Sequence, residues 1–295
     1  MVDFKNPQSS GTIVQVSVLP TGWLYLPDTW IFADGKPGVK YWSPDFSFLV
    51  RHPSGKNVLF DLGMRKDFEK IPVAIQVTFP IIEPYVPKDA FDLLMEGPVH
   101  PREIHAVILS HLHFDHVGDV NRFPYAEIIA GAGARAEAGP GWPEAQASPF
   151  DSSVLLHPKY RELPESGPGF VAVGNFPKAY DYFGDGSFYL LDAPGHMAGH
   201  QMGLARTGEN EWIVMGGDCC HHNDLVANPL RSISVKDGPG GAGSGFHRFP
   251  DLATSTIEKL RVMRAYSNVL TVLAHDASVQ GKVPLYPYNV NGWNK

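Results

Sequence analysis

Three histidines and one aspartate fall within six residues of this chain, in the stretch His111-Leu112-His113-Phe114-Asp115-His116. The stretch follows an apolar run, Ala106-Val107-Ile108-Leu109, whose length and β-branched residues predict a buried strand. The polar side chains would therefore lie on the loop where a strand ends, which is where open α/β sheets place their sites. Imidazole and carboxylate groups bind zinc and related ions. We therefore expect this loop to bind metal.

Three further predicted strands also end in histidine or aspartate: His196 follows residues 187–191, Asp218 follows residues 211–215, and His275 follows residues 269–274. Together with the first stretch they offer enough ligands for two ions that share one carboxylate. The first ion would take His111, His113 and His196, the second would take Asp115, His116 and His275, and Asp218 would bridge them. Each ion would keep an open position for a shared water, as catalytic sites require.

Two divalent ions about 3.5–4 Å apart lower the pKa of a bound water and polarise a carbonyl or phosphoryl oxygen. The ligand set therefore predicts a hydrolase that uses two divalent metal ions. Zinc is the default for imidazole and carboxylate ligands, and Mn²⁺, Fe²⁺ or Co²⁺ would also fit.

Composition narrows the class of protein. The 295 residues are 43% hydrophobic and 19% charged, with a net charge of −7, which argues against a nucleic-acid partner. Apolar runs stay well short of the roughly 20 residues that a membrane span needs. Residues 1–6 carry no apolar segment of a secretory signal, and the only cysteines, Cys219 and Cys220, are adjacent. We expect a cytoplasmic protein without a membrane partner.

Several local patterns predict the surrounding elements. Residues 12–19 alternate like a strand, and the strands at 46–50 and 57–61 flank a turn, which predicts a β-hairpin. Residues 88–95 predict a short helix, and a capping box formed by Ser255 and Glu258 predicts the start of another. Residues 131–186 are rich in Gly, Pro and Ser without clear periodicity, which predicts a loop-rich insertion whose aromatic residues either cover a pocket or anchor the loop.

Other polar residues carry weaker expectations. Asp61 is either a turn residue or a hydrogen-bond acceptor for a ligand histidine. We expect His200 to hold the turn at 194–200 rather than to bind metal, and His105, His157 and His247 to lie at the surface.

The motifs and their order resemble the metallo-β-lactamase superfamily. The stretch at 111–116 matches the HxHxDH signature, and Pro194-Gly195-His196, Gly217-Asp218 and His275 match the later motifs. The resemblance extends from the strand at residue 12 to His275. It implies an αββα sandwich, with two mixed sheets packed face to face, helices outside and a two-metal site at one edge, as a single domain over residues 1–295.

Within that superfamily the chain is most similar to the N-acyl-homoserine lactonases, on Ser110 to His116, Asp61-Leu62-Gly63-Met64, and Asp192 to His196 followed by Gly199-His200-Gln201. The resemblance implies that a metal-bound hydroxide attacks the lactone carbonyl. It implies further that Asp115 carries a proton to the leaving alkoxide and that Phe114 lines the substrate pocket. Several such enzymes have a tyrosine three residues after the bridging aspartate. His221 occupies that position here and could donate a hydrogen bond to the substrate carbonyl.

Other activities of the superfamily are alternatives. A glutathione thioesterase would need a basic cluster for the glutathione carboxylates, and a phosphodiesterase acting on nucleic acid would need a basic face, whereas Lys and Arg are scattered here. A redox di-iron member would carry glutamate in place of His113. We expect a small-molecule lactone or ester as substrate, with a thioesterase or another carboxylic or phosphoric ester hydrolase of the superfamily as the alternative. The oligomeric state is open, a homodimer included.

Overall fold

The computed structural model describes residues 2–6, 10–239 and 243–294. Within these ranges the strands are β1 (Gln15–Pro27), β2 (Lys40–Arg51), β3 (Asn57–Phe60), β4 (Ile104–Ile108), β5 (Glu127–Ala130), β6 (Tyr160–Glu162), β7 (Phe170–Val173), β8 (Phe176–Asp181), β9 (Phe188–Asp192), β10 (Gln201–Gly208), β11 (Glu211–Met215) and β12 (Val269–Val272). The α-helices are α1 (Asp28–Ile31), α2 (Val73–Gln76), α3 (Phe79–Ile82), α4 (Ala90–Glu96), α5 (Phe114–Val117), α6 (Ala134–Ala138), α7 (Ser152–Leu155), α8 (Asp224–Ala227) and α9 (Pro250–Arg264). Short 3₁₀ helices cover Phe68–Lys70, Pro101–Glu103, Val120–Arg122 and Ala277–Val279.

The strands in the described part of the chain form two six-stranded sheets. The first has the order β1-β2-β3-β4-β5-β6, antiparallel from β1 to β3 and parallel from β3 to β6. The second has the order β12-β11-β10-β9-β8-β7, in which only β11 and β12 run parallel among the described strands. Both sheets are therefore mixed, as predicted, and the hairpin of β2 and β3 is confirmed.

The two sheets enclose a core between their inner faces, and the outer face of each sheet packs against helices. Successive side chains of a strand point to opposite faces. Ala106 and Ile108 of β4 belong to the core between the sheets, together with Ile213 of β11. Val107 of the same strand packs on the other face, in a cluster with Leu94 of α4. Because both faces are buried, the central strands are continuous apolar runs, and the predicted αββα sandwich is confirmed.

Helix α9 covers the outer face of the second sheet and buries Ile257 and Leu260. It begins at Pro250, a residue favoured at the first helical position because its missing N–H needs no partner there. The capping box predicted at Ser255 and Glu258 was wrong, since both residues lie inside the helix.

The segment from residue 131 to residue 186 has more regular structure than the sequence predicted, although most of it lies outside helices and strands. It contains α6 and α7, β6 extends the first sheet, and β7 and β8 extend the second sheet. These strands have three to six residues and lie at or next to sheet edges, so their burial is partial and no alternating pattern emerges. Their pairing with neighbouring strands, rather than local periodicity, makes them strands.

Two further strands differ from the prediction. β1 continues to Pro27 through an irregular pairing between Pro20 and Gly22, where a proline is tolerated because the ladder is already interrupted. β10 was not predicted at all. No helix of the described residues is long and apolar enough to cross a membrane. The single domain over residues 1–295 stays a prediction.

Candidate metal centre

The strand-end histidines and aspartates converge at one end of the sandwich. The loop after β4 and the first turn of α5 carry four of them, and the ends of β9, β11 and β12 carry one each. They form two groups, within each of which the ligand atoms lie within 4.8 Å of one another: His111, His113, His196 and Asp218 in the first, and Asp115, His116, His275 and Asp218 in the second. We call these seven residues the candidate metal centre.

Three imidazole nitrogens of the first group form a small triangle. His111 Nε2 lies 3.0 Å from His113 Nδ1 and 3.0 Å from His196 Nε2, and His113 Nδ1 lies 2.8 Å from His196 Nε2. Nitrogens about 2 Å from a single ion would have a spacing close to this one. Burial lowers the pKa of His113 to about 4, and burial together with the neighbouring histidines lowers the pKa values of His111 and His196 well below the usual value. The three rings are therefore neutral and can offer lone pairs to a cation.

Asp218 joins the two groups through different oxygens. Its Oδ1 lies 3.2 Å from His116 Nε2 and 3.3 Å from His275 Nε2. Its Oδ2 lies 3.5 Å from His196 Nε2 and 3.7 Å from His111 Nε2. A carboxylate in this position can bridge two ions.

Several buried polar atoms of the second group have no hydrogen-bond partner of suitable geometry in the described part of the chain. They are His116 Nε2, His275 Nε2 and Asp218 Oδ1. Buried polar atoms without partners are costly, so a cation at this point would remove a penalty as well as add attraction. The donor set of the two groups, five imidazoles and two carboxylates, fits divalent metal ions.

Protein groups behind the ligands orient them. Asp61 accepts a hydrogen bond from the Ser110 backbone N–H at 2.6 Å and pairs with His116 Nδ1 at 2.8 Å, so the opposite nitrogen of His116 faces the centre. Asp61 has a φ of 63°, a strained conformation that aspartate tolerates better than most residues. His275 Nδ1 lies 2.9 Å from the Pro44 carbonyl oxygen. The structure therefore confirms the alternative in which Asp61 is a hydrogen-bond acceptor for a proposed ligand histidine.

His200 has the structural role that the sequence predicted. Its Nδ1 donates to the Ala193 carbonyl at 2.8 Å, and its Nε2 accepts from the Asp218 backbone N–H at 3.1 Å. The ring therefore holds both the turn after β9 and the backbone that carries Asp218.

A cavity of about 100 Å³ opens onto the candidate metal centre, and we call it the apolar pocket. Its floor is formed by His113, Asp115, His196, Asp218 and His221. Its walls are apolar apart from Thr78: Leu24, Leu26, Trp30, Ile75, Ile82, Phe114, Pro149, Pro239 and Phe246. Phe114 thus lies where the resemblance implied, and Trp30 lines the pocket. Among the described residues that line the pocket, none is Lys or Arg.

His221 lies between the centre and the wall. Its Nε2 is 3.1 Å from Asp218 Oδ2, and its ring stacks on Phe246 with centroids 4.0 Å apart. His247, predicted at the surface, is instead buried beside His196 and His221, with ring centroids 5.5 and 5.3 Å away. His157 is buried as well, so the surface prediction was wrong for both residues. The sequence around His247 has no periodicity from which its burial could be inferred.

Several classified proteins are similar to this chain in sequence or in fold. A model of the metallo-beta-lactamase superfamily matches residues 41–275. The chain is 38% identical to metallo-hydrolase mfmC from Annulohypoxylon moriforme, over 98% of this chain and 85% of that protein. It is 35% identical to gamma-lactamase FDB1 from Fusarium pseudograminearum, over 84% of this chain and 70% of that protein.

The fold is similar to that of a solved N-acyl homoserine lactone hydrolase with the product N-hexanoyl-L-homoserine bound at its catalytic metal center. The TM-score is 0.69 at 20% identity, over 95% of this chain and 100% of that chain. With the motifs, the sandwich and the family match together, this chain belongs to the metallo-beta-lactamase superfamily.

Proposed function

We propose that this protein is a hydrolase that opens the ring of a lactone with the help of two divalent metal ions. One observation carries the proposal: two groups of histidine and aspartate side chains share Asp218 at the floor of a pocket with apolar, uncharged walls. Membership of the superfamily supports the hydrolase class, and the pocket supports an uncharged substrate.

The ligand roles follow the geometry. His111, His113 and His196 would hold one ion and Asp115, His116 and His275 the other, with Asp218 shared between them. When bound, two divalent ions lower the pKa of a water molecule and polarise a carbonyl oxygen. Zinc is the proposed metal, and Mn²⁺, Fe²⁺ or Co²⁺ would suit the same ligands.

Two residues of the pocket floor are proposed to act on the substrate. Asp115 lines the floor, with Oδ2 3.6 Å from His275 Nε2, and its carboxylate can accept a proton from the attacking water and pass it to the leaving alkoxide oxygen. His221 Nε2 faces the same floor, 3.1 Å from Asp218 Oδ2. We assign it the role of hydrogen-bond donor to the substrate carbonyl, while Phe114 contacts the rest of the substrate.

The walls favour a substrate with an apolar substituent. Leu24, Leu26, Ile75 and Ile82 form an aliphatic surface beside the floor. N-acyl-homoserine lactones combine a lactone ring with an apolar chain, and they are the first substrates to test. Quorum quenching in the cytoplasm is the biological role that such an activity would support.

A γ-lactam is a second candidate, because a relative 35% identical to this chain is named a gamma-lactamase. A glutathione thioester is less suitable. Its carboxylates would find no cationic partner among the described residues that line the pocket.

The test is a substrate panel on the metal-loaded protein. It contains N-acyl-homoserine lactones of increasing chain length, the matching γ-lactams and a glutathione thioester. Lactone opening at neutral pH releases one proton and is followed with a pH indicator, whereas lactam opening gives an amine that takes up the proton and is followed by chromatography. We expect the lactones to be the fastest class. Absence of lactone opening combined with rapid cleavage of the lactam or the thioester would refute the proposal.

A further inference from the structure

We infer that Arg65 is a positioning residue for the candidate metal centre, acting on His113 through Asp151 and Phe150. The inference rests on the proposed metal site. It concerns a residue that follows β3 and forms no hydrogen bond or ion pair with the seven proposed ligands in the described structure.

Arg65 joins three loops with one buried guanidinium group. Its Nε lies 2.6 Å from Asp67 Oδ1, its Nη2 lies 3.5 Å from Asp119 Oδ2, and its Nη1 lies 3.2 Å from Asp151 Oδ2. The side chain is only 8% exposed. The planar fork of arginine can satisfy several carboxylates at fixed angles, which a lysine ammonium does less well.

The contact with Asp151 reaches the metal centre through the residue before it. The ring of Phe150 is parallel to that of His113, with centroids 5.6 Å apart and an angle of 4° between the planes. The backbone on both sides of Asp151 is paired with Trp142, whose N–H donates to the Phe150 carbonyl at 2.7 Å and whose carbonyl accepts from the Ser152 N–H at 2.9 Å. Movement of Asp151 would therefore move Phe150.

In the described part of the chain, His113 lacks the hydrogen bond from behind that orients His116 and His275. His116 is held from behind by Asp61, and His275 by the Pro44 carbonyl. The hydrogen-bond contacts of His113 within the described residues go through Nδ1, the nitrogen that faces His111 and His196. The Nε2 atom thus has no protein partner there, and the parallel ring of Phe150 supports the His113 ring on the side away from His111 and His196 by packing alone.

The contact of Arg65 with Asp119 supports the end of the loop that carries His111, His113 and His116. Leu62 donates its backbone N–H to the His116 carbonyl at 2.8 Å, and Gly118 donates to the Gly63 carbonyl at 2.8 Å. Arg65 extends this pairing to Asp119. The segment from Asp61 to Arg65 therefore supports residues 110–119, which we call the metal loop, from the beginning to the end.

The test compares Arg65→Met with Arg65→Lys and with Arg122→Met. Arg122 is a matched control, because it also pairs with two aspartates, Asp89 and Asp92, but contacts α4 rather than the metal loop. Zn²⁺ affinities are measured by competition with a chelator, and the two binding steps are assigned with His196→Ala and His275→Ala. Thermal unfolding of the metal-free variants is recorded in parallel.

We expect Arg65→Met to weaken the ion held by His111, His113 and His196 by about 10- to 100-fold, the range typical of groups that orient metal ligands. Arg65→Lys should recover part of the affinity, and Arg122→Met should change neither step. A lower melting temperature for Arg65→Met with both affinities intact would assign Arg65 a purely structural role and overturn the inference.

Phe150→Leu tests the same path without disturbing the ion pairs, and it decides the matter if Arg65→Met does not fold. We expect it to weaken the same ion by about 10-fold and to leave the other ion unchanged. Equal affinities in Phe150→Leu and the wild type would overturn the inference. A wild-type protein that takes up no Zn²⁺ would refute the proposed function itself, which is a different outcome.

Discussion

The candidate metal centre and the apolar pocket meet at one surface but are built from different parts of the fold. The centre takes its side chains from the ends of β4, β9, β11 and β12, and six of its seven residues are buried. Apart from Phe114, which begins α5, the pocket walls come from the end of β1, from the short helices α1, α2 and α3, and from loops that carry Pro149, Pro239 and Phe246. Some neighbours of these walls are widely exposed, such as Val77 at 70%.

This difference separates reactivity from selectivity. Strand ends in a packed sandwich hold their side chains rigidly, which suits residues that must keep fixed distances. Short helices and loops tolerate substitution with little effect on the core, which suits residues that select a substrate. Changes at the centre should therefore alter metal binding, and changes in the walls should alter substrate preference alone.

The largest effect is expected for Asp218→Ala. The shared carboxylate contacts both groups of ligands, so its removal should release both ions. Activity should fall about 10³-fold or more, because Lewis-acid stabilisation is worth several kcal/mol and each 1.4 kcal/mol is tenfold. Metal content is measured by elemental analysis after gel filtration. Two ions retained by this variant would contradict the bridging role.

His221 lies between the candidate metal centre and the pocket wall, so His221→Ala tests to which of the two regions this residue belongs. If Nε2 donates to the substrate carbonyl, turnover should fall about 10²-fold, as for other oxyanion donors, while both ions stay bound. Steady-state kinetics and metal content are measured on the same preparation. Loss of an ion would make His221 part of the metal centre, and unchanged turnover would remove it from the mechanism.

Asp61→Asn tests how strongly the centre depends on its supports. Asparagine tolerates the positive φ of this position, so backbone strain stays matched to that of the wild type. The substitution weakens the contact with His116 Nδ1 and should lower the affinity for the ion held by His116 by about 10- to 100-fold. Chelator competition measures this affinity. Equal affinities in variant and wild type would show that packing alone orients His116.

Ile75→Ala should have the smallest effect and only on the substrate side. Ile75 lines the pocket from α2, so its truncation should raise KM for long acyl chains about three- to tenfold and leave short chains and metal content unchanged. Val77→Ala, at the end of the same helix but outside the pocket lining, is the matched control. A change in metal content in Ile75→Ala would break the separation between the two regions.

Local patterns in the sequence predicted the features that depend on near neighbours. The apolar run before Ser110 predicted a buried strand, and β4 is one because both of its faces are covered. The seven strand-end histidines and aspartates were recognisable one loop at a time. The αββα sandwich and the superfamily followed from the order of these motifs.

Features that depend on distant residues could not be predicted. His247 is buried because it packs against His196, which lies 51 positions earlier in the chain. The residues around His247 give no indication of this burial. The contact of Arg65 with Asp151 spans 86 residues. The strands β6, β7 and β8 exist because neighbouring strands supply their hydrogen bonds, and their short, partly buried sequences carry no clear alternation.

The sequence by itself determined which residue types stand at the strand ends, and thereby the class of chemistry, since ligand preference is a property of the side chain. Only the tertiary structure decided which nitrogens face one another, that Asp218 reaches both groups, and that the walls beside them are apolar and uncharged. Those properties depend on which residues far apart in the chain become neighbours, and this is fixed only when the two sheets pack together.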